Sequence, residues 1–194
     1  MPVTAVRIET PMGVITADLY PDHAPVTVAN FLDYVDAELY DGGRFHRTVR
    51  LDNQSNANLK LDIADAGIAT ERKGALPNDQ VVIEVIQGGI NPARVSEQRP
   101  AIVLERTSQT GLQHTDGALS MGRLTADSAV SEFFICINDQ PGLDFGGERN
   151  VDGQGFAAFG NVTSGMDVVR AIQIARSEGQ QLTPPIAITS IRRA

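Results

Sequence analysis

The sequence predicts a mainly β protein, an antiparallel barrel or sandwich of about eight strands with a helix at each open end. Three observations carry that class. Short runs of strand-like composition recur along the chain, separated by turns rich in Gly, Asp and Asn. Only two segments place apolar residues at helical spacing. The strands follow one another too closely for βαβ repeats, whose crossovers take about a dozen residues or more.

In chain order, "AVRIET" (5–10) and "VITADLY" (14–20) read as strands joined into a hairpin through the turn residues "PMG". "PDHAPVTVANFLDYVDAELY" (21–40) sets Val26, Val28, Phe31, Leu32 and Val35 near helical spacing behind two prolines, an amphipathic helix packing on the hairpin. "RFHRTVR" (44–50) is a third strand, with Phe45 and Val49 as alternate half-buried residues and Arg47 on their face. Residues 51–80 are rich in Asn, Asp, Ala and Gly with weak periodicity, and read as a long loop or small excursion. Strand composition returns in "VVIEVIQGG" (81–89), "AIVLER" (101–106), "GALSMGR" (117–123), "EFFICI" (132–137) and "GFAAFGNV" (155–162). "GMDVVRAIQIARS" (165–177) is the second helix, with Met166, Val169, Ile172 and Ile174 as its apolar face, and "PPIAITSIRR" (184–193) the last strand. With no internal repeat and no separating linker, 1–194 reads as one domain with a loop insertion at about 51–80.

Composition excludes several functions. The net charge of −8, from 16 basic and 24 acidic residues without a basic cluster, argues against a nucleic-acid partner. No window approaches the run of about 18 apolar residues that a membrane span requires. The N-terminus "MPVTAVRIET" lacks the basic and apolar regions of a signal peptide, so a cytoplasmic location is expected, with export from a longer precursor as the alternative. The single cysteine, Cys136, leaves no internal disulfide or cysteine zinc site and reads as a buried small hydrophobe. HExxH, GxGxxG, Walker and GxSxG patterns are all missing. His23 and His114 read as surface or loop residues, whereas His46 flanks Arg47. Chemistry in such a chain uses neither metal nor cofactor nor covalent nucleophile. Arg47, always charged, is then either a solvated edge residue or a working group at the rim of an apolar pocket.

Five segments in order, "HAPVTVANFLDYV", "YDGGRFHRTV", "VIQGG", "GALSMGRLTADSAVSEFFICI" and "GFAAFGNVTSGMDVV", resemble the cyclophilins, and bacterial members in particular. That family binds cyclosporin and consists of peptidyl-prolyl cis-trans isomerases. The resemblance implies a closed eight-stranded antiparallel barrel capped by two helices, and proline-containing peptides and unfolded chains as partners. It also implies site residues: Arg47 as the catalytic arginine, Gln87 beside it, Phe134 as the floor of a proline pocket and Leu143 as its wall. Phe156 stands where many members have a histidine, Phe45 backs or walls the site, and Gly122 and Arg123 align with residues that contact the substrate backbone.

The chain departs from the pattern in three ways. Arg47 and Gln87 are separated by the 51–80 insertion instead of a short turn, and Val85 replaces a frequent pocket methionine. Glu132 replaces a glutamine two residues before Phe134, which leaves its carboxylate to pair with Arg47 or to face solvent. Gly142 takes the place of the tryptophan that contacts cyclosporin, so weak cyclosporin binding is expected. A monomeric isomerase is the leading expectation; a catalytically weak proline-peptide-binding module of the same fold is the alternative.

Overall fold

In a computed structural model, residues 3–55 and 78–194 are described; residues 56–77, most of the segment read as an insertion, lie outside them. In chain order the elements are β1 (Thr4–Thr10), β2 (Gly13–Leu19), α1 (Pro25–Asp36), β3 (Gly43–Val49), β4 (Val85–Gly89), α2 (Thr107–Thr110), β5 (Ala118–Met121), β6 (Phe133–Cys136), β7 (Ala158–Ser164), α3 (Met166–Gln173), β8 (Ser177–Glu178), β9 (Gln181–Ile188) and β10 (Ser190–Arg193). Every ladder is antiparallel.

The expected closed eight-stranded barrel is corrected on two counts. Among the described residues the sheet has ten strands, in the order β10-β1-β2-β7-β5-β6-β4-β3-β9-β8, and it does not close. The extra strands come from the C-terminal run. At Thr189 the chain leaves β9, which pairs with β3, and enters β10, which pairs with β1 at the other end of the sheet. The two sheet ends are thus joined by covalent continuity and not by a ladder. "AIVLER" supplies no strand, only the bridge Ile102–Ala129. Its Glu105 instead caps α1: the carboxylate accepts from Val26 N at 3.1 Å, Thr27 N at 2.8 Å and the Thr27 hydroxyl at 2.7 Å. Ala24 at the N-cap offers no side-chain acceptor, so an anion from elsewhere satisfies the helix's orphan N–H groups and its positive end.

The sheet has apolar residues on both faces. On one face Phe31 of α1 meets Phe133, Tyr40 and Phe159 with ring centroids 5.1–5.4 Å apart, and Phe45 joins through Phe133 at 5.8 Å. Together with Val6, Ile8, Ile15, Leu19, Ile86 and Leu119 these rings form the main core. A second, smaller cluster of Val49, Ile83, Val85, Ala118, Phe134, Cys136 and Leu143, with Phe156 packed against it, lies apart from that core. The neighbours Phe133 and Phe134 belong to different clusters because successive strand residues point to opposite faces.

Candidate active site

Register builds the site. Arg47 of β3 is paired with Gln87 of β4, Gln87 with Phe134 of β6, and Phe134 with Ser120 of β5. Residues directly opposite in a ladder share a face, so one row across four strands carries the expected arginine, glutamine and pocket floor. The neighbouring row on that face holds Val49, Val85 and Cys136.

The expected alternation in β3 fails in an informative way. Phe45 is opposite Gly88 and Arg47 opposite Gln87, so His46 is an extra residue against β4; against β9 the register also shifts, but there the surplus lies on β9, whose residues 182–185 fall between the partners Gln181 and Ile186. Such a bulge reverses facing for everything beyond it. Phe45 consequently enters the main core with no exposure, on the face away from Arg47, and does not line the site. Arg47 and Val49 emerge on the face of Phe134, while Thr48 between them is buried and donates its hydroxyl to Gln173 O at 2.7 Å.

Arg47 is half-buried. Its Nη1 donates to Gln87 Oε1 and its Nε to Gln180 Oε1, both at 2.9 Å. Gln87 Nε2 in turn donates to Glu132 Oε2 at 2.8 Å, and His46 Nε2 lies 2.7 Å from the same oxygen. A carboxylate only accepts, which makes the His46 Nε2–H the donor. Glu132 therefore neither pairs directly with Arg47 nor faces solvent: it is 4% exposed and reaches the arginine through Gln87. The space for it comes from Gly89, where any Cβ would collide with the Glu132 carboxylate. Gly122 sits beside the pair, its N–H donating to Glu132 O at 2.8 Å.

The apolar side consists of Phe134, Val85, Leu143 and half-buried Phe156. The Phe156 ring packs edge-on against Phe134 with centroids 5.6 Å apart. Arg123 does not present a free guanidinium. Its side chain binds Asp152 at 2.7 and 2.9 Å, donates to Gly155 O and lies 4.8 Å from the Phe156 ring centroid, so that it braces the Phe156 ring. The bound guanidinium holds the Asp152 carboxyl below the usual carboxylate range, against a smaller opposing effect of burial.

His114, read as a surface or loop residue, does lie in a loop, but it is buried there, 1% exposed. Its ring stacks on Phe134 at 6.0 Å and 15°. Nδ1 lies 2.7 Å from Asp144 Oδ1 and Nε2 lies 2.9 Å from Ser120 Oγ. Those distances suit a Ser-His-Asp triad, but Ser120 has no exposed surface, so no substrate carbonyl reaches its hydroxyl. The trio instead fixes the platform under Phe134. Cys136 is fully buried, and desolvation pushes its thiol well above the usual range.

Arg149, which no sequence signal singled out, is 2% exposed and ties the site's surroundings together. Its backbone N donates to Gly142 O, next to Leu143, and its guanidinium donates to Asn78 O at 3.1 Å and Val81 O at 2.9 Å. Gln180 and Asn53 were likewise invisible: "EGQQL" announces a turn, but nothing in it points to an arginine 133 positions away. No group of three or more His, Cys, Asp or Glu suited to hold a metal occurs among the described residues.

Fold and site together define an antiparallel β-sheet protein in which Arg47 and Gln87 share a sheet face with the apolar cluster around Phe134. The chain matches the family model described as cyclophilin type peptidyl-prolyl cis-trans isomerase over residues 5–193. It is 32% identical over 170 residues to the peptidyl-prolyl cis-trans isomerase of Acinetobacter baylyi, covering 87% of this chain and 71% of that one. Against peptidyl-prolyl cis-trans isomerase B of Escherichia coli the identity is 30% over 169 residues, covering 87% and 83%. A crystal structure of a cyclophilin-type isomerase from Cryptosporidium parvum has the same fold, with a TM-score of 0.68 at 19% identity over 100% of this chain and 98% of that one. The chain belongs to the cyclophilin-type peptidyl-prolyl cis-trans isomerases.

Proposed function

We propose that this isomerase turns X-Pro bonds of unfolded chains by gripping the proline ring against Phe134, Leu143 and Phe156 while Arg47 stabilises the twisted imide. Rotation about a peptide bond is opposed by roughly 18–20 kcal/mol because C–N has partial double-bond character, and uncatalysed X-Pro isomerisation takes about 10–100 s. Twisting removes the conjugation and returns a lone pair to the imide nitrogen. A guanidinium donor bonds that nitrogen only when it is twisted, so it favours the transition state over either planar ground state. No proton changes hands, which fits a site where the Ser120–His114–Asp144 trio is sealed from substrate.

The observation that supports the reading best is the bulge at His46, because it brings Arg47 onto the face of Phe134 and its apolar cluster. The same reading keeps cyclosporin affinity low: position 142 is a glycine, and Val81 Cγ1 lies 2.6 Å from where its Cβ would be, leaving no space for a large ring. The test follows cis-to-trans conversion of an Ala-Pro peptide, the dipeptide present with one structure of the Cryptosporidium protein. Arg47→Ala is expected to lower kcat/KM about a hundredfold, ~2.7 kcal/mol of transition-state stabilisation, with little change in Tm. Undiminished turnover in Arg47→Ala rejects the mechanism. Binding without acceleration by the wild-type protein selects the weakly catalytic peptide-binding module.

A further inference from the structure

Gln87 is one of two amides on Arg47. In the β8–β9 hairpin Ser177 pairs with Leu182 and Glu178 with Gln181, which leaves Gly179 and Gln180 as a two-residue turn. Gly179 has φ +59°, the left-handed value that a turn of this length needs at its first position. The turn delivers Gln180 next to Gln181, the strand partner of Arg47. Gln180 Oε1 accepts from Arg47 Nε at 2.9 Å, and Gln180 Nε2 donates to the backbone carbonyl of Asn53 at 3.0 Å. Asn53 is itself anchored: its amide donates to Thr48 O at 3.1 Å and Gly179 O at 3.0 Å, and its Oδ1 accepts from Arg50 N at 2.7 Å. Both residues are buried.

An amide has a donor end and an acceptor end. The Asn53 carbonyl only accepts, so it draws Nε2 toward itself and turns Oε1 to the arginine. Gln87 is oriented in the same way from the opposite side, by the Glu132 carboxylate. One contact at Nη1 leaves the guanidinium plane able to swing about that contact. A second at Nε fixes the plane.

We infer that Gln180 is a positioning residue for Arg47, holding the guanidinium plane on the face of Phe134 with Asn53 O as its anchor; the inference rests on Arg47 being the catalytic group. Misplacement of a catalytic group by about 1 Å can cost up to a hundredfold in rate, and removing the support at Nε is expected to cost about tenfold. Gln180→Met has similar length and no strong acceptor. With the Ala-Pro peptide it should lower kcat about tenfold and change KM by less than about twofold. In ¹H–¹⁵N spectra the Arg47 Nε–H signal should shift and lose its protection from solvent exchange. In an Arg47→Ala background Gln180→Met should cause no further loss of kcat. Gln180→Asn, which keeps the amide but is one methylene too short, carries the same expectations should the methionine variant not fold.

An unchanged Nε–H signal together with unchanged kcat overturns the inference. So does an equal loss of kcat in the Arg47→Ala background, which marks Gln180 as merely structural. If the wild-type protein does not accelerate isomerisation at all, the mechanism falls, and the Nε–H signal still decides whether Gln180 positions Arg47.

Discussion

Phe133 and Phe134 are neighbours in β6, both nearly inaccessible, yet they serve different regions of the molecule. Phe133 is enclosed by the rings of Phe31, Tyr40 and Phe45 at 5.4–5.8 Å. Phe134 rests on an imidazole held from both sides by Asp144 and Ser120, and its edge meets half-buried Phe156. The first region is closed by carbon packed on carbon. The second is an apolar platform with a hydrogen-bonded backing, bordered by the half-buried ring of Phe156. The two regions are separated by a single pleat of one strand.

Alanine substitutions break the comparison most forcefully. Phe133→Ala opens a cavity among large rings and is expected to cost about 3–5 kcal/mol, the range for a fully enclosed phenylalanine. Phe134→Ala should cost about 1–2 kcal/mol less than that, since its site borders solvent and can relax, while lowering kcat/KM about thirtyfold through loss of the proline platform. Denaturant unfolding and peptide isomerisation, measured on both variants, check the pair. Equal stability losses, or an activity loss per folded molecule as large in Phe133→Ala as in Phe134→Ala, would remove the distinction between the two regions.

The sequence shows the inner region more clearly than the outer one, for physical reasons. The β1–β2 hairpin and α1 are visible because turn residues and apolar spacing are local signals: α1 buries Val28, Phe31, Leu32 and Val35 as the spacing requires, while Val26, in the first turn, stays exposed. The alternation of Phe45, Arg47 and Val49 is a local signal as well, and it misleads. A bulge adds one residue without altering composition, so it reverses the facing of Arg47 unannounced. "AIVLER" looks like a strand, but its role depends on Glu105 reaching a helix N-terminus 78 or 79 positions away. The family resemblance points to Arg47, Gln87, Phe134 and Leu143, the residues that form the row and its wall. It gives no access to Gln180, Asn53 or His114, whose partners are set by how the loops close and not by any pattern along the chain.

The smallest effect concerns the rim of the outer region, which depends on an ion pair where the inner region depends on none. Arg123 lies over Phe156 and is held there by Asp152 and Gly155 O. The bond from Arg123 lowers the Asp152 carboxyl pKa. A carboxyl with a depressed folded-state pKa stabilises the fold above its unfolded value, near 3.9, and loses that contribution as the pH falls through the depressed value. Asp36, Asp41 and Glu97 are also held low by arginines, so the acid sensitivity of the whole protein cannot be assigned to any one of them. A difference isolates the pair: at pH 7 Asp152→Asn is expected to cost about 0.5 kcal/mol, the scale of a solvent-screened ion pair, and the gap from wild type should close in acid, as the pH falls through the depressed value. Unfolding curves at pH 7 and in acid measure it. A gap that persists in acid would mean that Asp152 supports the loop by hydrogen bonding alone, and that Phe156 is held at the rim without help from charge.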